Sequence, residues 1–169
     1  NSLYAARKAK DAIVDVFREQ HDGKRPNVSA TSPQVKINIH LNNHEAEVYL
    51  NSSGDSLHKR GYRVESGPAH LSEVLAAGII QLSGWNGGKP LFDPMCGSGT
   101  FLIEGAMIAS NLPAGVFRND FGFAHWLDYD EDLFNKIRES SLNRSIEYEG
   151  RVIGRDKLES SLDSAAENI

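Results

Sequence analysis

The run Leu91-Phe92-Asp93-Pro94-Met95-Cys96-Gly97-Ser98-Gly99-Thr100 carries more information than any other part of this chain. Leu91 and Phe92 are apolar and lead into an acid, the next turn holds two glycines, and amphipathic sequence begins at Thr100. A strand that stops at aspartate and reverses through Gly-Ser-Gly into a helix makes a cradle. Glycine lets the backbone reach contact distance with a ligand, and a helix start offers unpaired N–H groups. A small molecule with a carboxylate, a sugar and a base fits across such a turn, at the carboxyl ends of strands in an open α/β sheet. Spacing excludes two commoner loops. The third glycine of the dinucleotide fingerprint is missing, and no Gly-Lys-Ser/Thr follows to form a phosphate loop.

The chain has 169 residues, enough for one full domain or two incomplete ones. Its 40% hydrophobic and 24% charged content is ordinary for a globular protein. No run of eighteen or more apolar residues exists to span a membrane, and the first residues lack the features of a signal peptide. They also lack an initiating methionine, so we expect the chain to begin inside a longer protein. The single cysteine, Cys96, excludes an internal disulfide and fits a reducing cytoplasm. The six histidines are scattered, and none sits with Cys96 at zinc spacing, so no metal site is expected. The net charge of −5 conceals an asymmetry, +2 over residues 1–68 and −7 over residues 69–169. That balance is compatible with a polyanion partner on the first half and also with no nucleic acid at all.

Periodicity supplies the elements. Tyr4 to Gln20 reads as a helix with Ala5, Ala9, Ala12, Ile13, Val16 and Phe17 on one stripe. Val35–His40 and Glu45–Leu50 alternate as strands of a hairpin turning at Asn42-Asn43. The basic segment Ser56 to Arg63 follows, with Lys59, Arg60 and Arg63 as cations and Tyr62 as an aromatic. Such a segment can neutralise phosphates and stack on a base, or Lys59, Arg60 and Arg63 can be solvated linker charges while Tyr62 packs locally. A boundary is expected at Val64 to Pro68. His70 to Leu82 then returns to helical period, with Leu71, Val74, Leu75, Ile79 and Leu82 on one face. Helices are expected over Thr100–Ser110, Asp130–Ser141 and from Glu159 onward, and a short strand over 151–154. The aromatics Phe117, Phe121, Phe123, Trp126 and Tyr129 read either as a platform for bases or, the reading we favour, as core packing of an irregular insertion.

Asp-Pro-x-Cys-Gly-Ser-Gly-Thr, at Asp93 to Thr100, resembles the first motif of a group of S-adenosylmethionine-dependent methyltransferases. Asp156 follows the next strand and is suited to accept hydrogen bonds from both ribose hydroxyls of a nucleoside. The bland alternative is that it caps the following helix.

The wider pattern is similar to the THUMP-domain RNA methyltransferases, nearest to the bacterial large-subunit ribosomal RNA guanine-N2-methyltransferases. Relatives of these are often labelled N6-adenine-specific DNA methylases. The resemblance rests on Gly61-Tyr62-Arg63, on Ala69 to Ala77, on Leu91 to Glu104, on Ile108 to Gly115 with Phe121-Gly122-Phe123 and Trp126, and on Gly154-Arg155-Asp156. It implies an α/β fold: the later part of a THUMP RNA-binding domain over residues 1–63, then the first part of a Rossmann-like methyltransferase domain over 64–169. It implies that Asp93, Pro94, Met95, Cys96, Gly97, Ser98, Gly99 and Thr100 line S-adenosylmethionine, and that Asp156 takes the ribose. Leu71 and Ser72 would close the site around the methionine end. Lys59, Arg60, Tyr62 and Arg63 would face RNA, with ribosomal RNA as partner. The family's Asn-Pro-Pro-Tyr/Phe-Gly signature, which holds the target amine, does not occur in the sequence. We therefore expect a fragment without its catalytic motif. Methyl transfer to an amine is direct, so Cys96 is expected to line the site and not to act as a nucleophile. The sequence does not set the oligomeric state.

Overall fold

The computed structural model describes residues 2–64 and 70–169. The expected boundary therefore lies, from Glu65 on, outside the described residues, and so does Ala69. The chain forms two compact units, one of Asn1–Gly54 with Gly122–Leu127, the other of Asp55–Phe121 with Asp128–Ile169.

The first unit holds helix α1 (Ser2–Gln20) and strands β1 (Ile37–Asn42) and β2 (Glu45–Leu50). The strands pair antiparallel from Ile37 opposite Leu50 to Asn42 opposite Glu45. The reversal falls at Asn43-His44, one residue later than the sequence suggested, because Asn43 takes the left-handed conformation at φ 53°. Asparagine tolerates that region better than most residues. In α1 the buried residue is Val14, beside half-buried Ala5, Ala9 and Ile13, while Val16 and Phe17 are exposed. The loop Gly122–Leu127 contains one turn of 3-10 helix and donates from Phe123 N–H to the Ser52 carbonyl at 2.9 Å.

The second unit holds α2 (Glu73–Leu82), β3 (Leu91–Asp93), α3 (Thr100–Ala109), α4 (Glu131–Leu142), β4 (Val152–Gly154) and α5 (Glu159–Asn168). β3 and β4 are parallel and in register: Leu91 opposite Val152, Phe92 opposite Ile153, Asp93 opposite Gly154. A parallel pair needs a crossover, and α3 and α4 fall within it. Asp130 caps α4 by accepting from the Leu133 N–H at 2.9 Å. Tyr62, Ile103 and Met107 form a buried cluster with Leu112 and Val116 against it.

The bulky stripe of α2 is not its buried face. Val74, Leu75, Ile79 and Leu82 are exposed, the last at 90%, and the buried residues are Glu73, Ala76, Ala77 and Ile80. α2 packs against α3. The buried stripe carries two alanines, and its Glu73 is paired with Arg63 at 2.9 Å, which offsets the cost of burying the carboxylate.

Gly154, the last residue of β4, is closely approached by its neighbours. A Cβ there would lie 2.5 Å from Leu102 Cδ1 and 2.9 Å from Cys96 Sγ. Gly154→Ala is predicted to destabilise by about 1–3 kcal/mol through overpacking. Gly78→Ala serves as the contrast, because a Cβ at Gly78, within α2, meets nothing within 4 Å. It should stabilise by about 0.5–1 kcal/mol. Urea denaturation of both variants checks the pair, and equal effects would refute the packing argument.

Candidate functional site

The site forms where β3 and β4 end. Arg155 N–H donates to the Asp93 carbonyl at 2.8 Å, and Cys96 N–H donates to the Arg155 carbonyl at 2.9 Å, so the turn after β3 is laced to the end of β4. Gly97 N–H donates to Asp156 Oδ2 at 2.9 Å. Gly97 and Gly99 take φ of 52° and 84°, the left-handed region that favours glycine. Gly99 is the N-cap of α3 and has no side chain with which to cap it. The first N–H groups of a helix have no partner within it.

The two glycines meet different surroundings. A Cβ on Gly99 would lie 3.2 Å from Ala165 Cβ, so that glycine permits α5 to pack against the turn. A Cβ on Gly97 meets no protein atom within 4 Å. Gly97 therefore presents bare backbone to open space, as a ligand cradle requires.

Asp156 does two jobs at once. Oδ1 accepts from Leu158 N–H at 2.9 Å, just before α5, while Oδ2 accepts from Gly97. These amides, that of Leu158 first, hold its carboxyl below the usual range, so it is ionised at neutral pH. A carboxylate has about four acceptor positions, so these amides leave acceptor capacity for hydroxyl donors. Asp93 accepts from Met95 N–H at 3.0 Å. Pro94 and Met95 are exposed, Met95 at 82%. Leu71 and Ser72 are half-buried immediately before α2, where Ser72 is the N-cap. The structure thus brings Asp93 to Thr100 and Asp156 together.

Cys96 is buried, and its thiol is pushed up by burial first and then by the charges of Asp93 and Asp156. The thiolate is the nucleophilic form. Its surroundings favour the protonated, unreactive one.

The basic segment is turned largely inward. Arg63 donates from Nε to Glu73 Oε1 at 2.9 Å, from Nη1 to Ser98 Oγ at 2.8 Å and from Nη2 to Thr100 Oγ1 at 2.9 Å. Arg60 pairs with Glu104 Oε1 at 3.4 Å, and the Tyr62 hydroxyl donates to the same oxygen at 3.1 Å. Tyr62 is buried, so its ring offers no open face to a base. Lys59 keeps its ammonium at the surface, paired with Asp55 at 3.1 Å. The reason for the inward turn is charge matching. Glu73 and Glu104 are buried at 4% and 2% exposure, and a buried carboxylate needs a cation or donor. Burial pushes the Glu104 carboxyl above its usual range, and Arg60 and Tyr62 offset only part of that rise.

Arg118 carries no sequence signal and is nonetheless central to this unit. It is buried and donates to the carbonyls of Ser56 and Lys59, both at 2.9 Å, and of Asp55 at 3.1 Å. One guanidinium thus shapes the whole 55–59 turn. A shallow depression lined by Asn111, Leu112, Pro113, Ser141 and Arg144 shares no residue with the glycine turn. Among the described residues no group of three or more His, Cys, Asp or Glu side chains is gathered to hold a metal ion, and no helix is long and apolar enough to cross a membrane.

Cys96 is predicted to react slowly with iodoacetamide at pH 8 in the folded protein and rapidly after denaturation. Its reaction should accelerate only as pH rises past the range of an ordinary thiol. Native alkylation at the rate of free cysteine would contradict the burial and the raised thiol.

Residues 60–169 match the model of the RMKL-like methyltransferase domain, and residues 1–51 match the THUMP domain. Among solved structures, a candidate methyltransferase complexed with SAH (S-adenosylhomocysteine) is 35% identical, with a TM-score of 0.79 over 95% of this chain and 42% of that one. A candidate methylase from Clostridium difficile 630 is also 35% identical, at TM-score 0.79 over 94% of this chain and 41% of its own. A predicted N6-adenine-specific DNA methylase from Listeria monocytogenes is 28% identical, at TM-score 0.82 over 94% of this chain and 42% of its own. This chain spans about two-fifths of the length of each. With a strand–glycine turn–helix laced to a neighbouring parallel strand, and with family matches over both parts, the chain belongs to the RMKL-like methyltransferase family that carries a THUMP domain.

Proposed function

We propose that the protein binds S-adenosylmethionine at the glycine turn and methylates an exocyclic amine of a base in RNA, with guanine N2 of ribosomal RNA as the target. The observation that carries this reading is the Gly97–Asp156 arrangement, bare backbone beside an ionised carboxylate at the ends of two parallel strands. The SAH complex of a 35% identical structure supports the choice of cofactor. The THUMP match over residues 1–51 supports RNA as the partner.

S-adenosylmethionine supplies an electrophilic methyl group, and the residues of this chain supply binding and orientation. Asp156 accepts from the ribose hydroxyls with the acceptor capacity that the neighbouring amides leave free. Asp93 to Thr100 line the cofactor, and the start of α3 offers N–H groups to its carboxylate. Leu71 and Ser72 close the methionine end. Holding the reacting groups in line and stabilising charge are the terms such a site contributes. The target base has to leave its stack to reach the methyl group. An Asn-Pro-Pro-Tyr-type segment, absent from these 169 residues, would hold the amine. Of Lys59, Arg60, Tyr62 and Arg63, Lys59 has the exposed cation suited to a phosphate.

A second reading, adenine N6 methylation of DNA, is favoured by the Listeria monocytogenes structure and its description. Nucleoside mass spectrometry of RNA and DNA from a strain lacking the gene separates the two. Loss of N2-methylguanine from ribosomal RNA is expected, and loss of N6-methyladenine from DNA would favour the second reading.

Gly97→Val provides the direct test of the site. The added side chain meets no protein atom at Cβ but stands where the cofactor would lie. The left-handed backbone adds about 1–2 kcal/mol of strain, which a folded domain can absorb. Calorimetry should find S-adenosylmethionine binding abolished in a protein that still melts cooperatively. Unchanged affinity would remove the turn from the site.

A further inference from the structure

The cluster around Arg63 has no role in the site as proposed, yet it converges on the same turn. We infer that Arg63 is a positioning residue for the cofactor: its guanidinium holds the glycine turn in its binding conformation and makes the Ser98 and Thr100 hydroxyls donors. The inference rests on the reading of that turn as the S-adenosylmethionine site.

Guanidinium has only donors, set in a rigid planar fork. Its three nitrogens are all engaged, with Glu73, Ser98 and Thr100, at 2.8 to 2.9 Å. A hydroxyl that accepts from guanidinium keeps its own hydrogen to give away. Ser98 is only half-buried, so its hydrogen is available to an acceptor in the cradle. The carboxylate of the cofactor's amino-acid end is an acceptor of that kind.

The turn needs such a support. Gly97 and Gly99 flank Ser98, and glycine loses more backbone freedom on ordering than any other residue. Backbone ties come from Cys96, Gly97 and Gly99, and Asn168 Nδ2 donates to the Ser98 carbonyl at 3.2 Å. Arg63 grips the side chains on either side of Gly99. Glu73, itself buried, balances the charge and fixes the Nε edge of the fork. An arginine serving only as a buried counter-ion would need the carboxylate and not the two hydroxyls. Contact with an RNA phosphate is opposed by geometry, since the side chain is 13% exposed and each of its three nitrogens already donates within the protein.

The test uses Arg63→Ala and Arg63→Lys in the full-length protein. Calorimetry with SAH should find binding weakened roughly ten- to a hundredfold in both, the loss expected when charged hydrogen bonds to a binding loop are removed. Lysine should not rescue, because a single ammonium cannot span three acceptors. Methylguanidinium should partly restore binding to Arg63→Ala. RNA affinity and its salt slope should match the parent. If Arg63→Ala does not fold, Ser98→Ala and Thr100→Val take its place, each expected to weaken SAH binding severalfold. SAH affinity within twofold of the parent in the folded variants would overturn the inference. So would a salt slope lower by about 0.7–0.9 with cofactor binding intact, the mark of one lost phosphate contact. A parent protein that does not bind SAH would overturn the site assignment, and the inference with it.

Discussion

The hydrogen bond from the Gly97 amide to the Asp156 carboxylate joins the turn after one parallel strand to the segment after its neighbour. It can form only because β3 and β4 run parallel and end level, with Asp93 opposite Gly154. That register needs Gly154, where Leu102 and Cys96 leave no room for a side chain. It also needs Gly99, over which α5 packs through Ala165. One bond of this kind contributes only about 0.5–1.5 kcal/mol net, somewhat more with an ionised acceptor. Its larger consequence is placement: a carboxylate with spare acceptor positions is fixed beside the bare backbone of Gly97.

Behind the turn lies a second layer, made of charge. Glu73 and Glu104 are buried, and Arg63, Arg60 and Tyr62 converge on them. Replacing buried ion pairs with well-packed apolar residues is often neutral or stabilising, so stability alone is a weak reason for such a layer. Direction is a better one. A fork of donors tells each hydroxyl it touches which way to point, and Ser98 and Thr100 belong to the turn. Arg118 does the corresponding work on the 55–59 carbonyls. The segment ahead of the glycine turn is thus shaped by buried cations.

The order of elements was legible from the chain because each carried a local signal. Alternation marked the hairpin, helical period marked α1 and α3, and Gly-Ser-Gly after an acid marked the turn. The meeting of Asp156 with the turn was legible as well, since two strands of a parallel pair bring their carboxyl ends together. What failed depends on partners distant in sequence. That α2 buries Glu73, Ala76, Ala77 and Ile80 while Leu75 and Ile79 are exposed has no mark in its own sequence, since α2 packs against α3, a helix some twenty residues on. Arg60 and Arg63 read as surface cations because nothing local announces that Glu104 and Glu73, ten and more residues away, become their partners, whereas Tyr62 packs inward, one of the two readings its segment allowed. Arg118 had no signal at all, since carbonyl oxygens leave no trace in a side-chain pattern.

Amide hydrogen exchange with and without SAH tests the central claim most directly, because it reads the location of the cofactor residue by residue. The account predicts protection concentrated at residues 95–102 and 155–158, with the hairpin of residues 37–50 unchanged. SAH that binds while leaving residues 95–102 as exchangeable as before would contradict it.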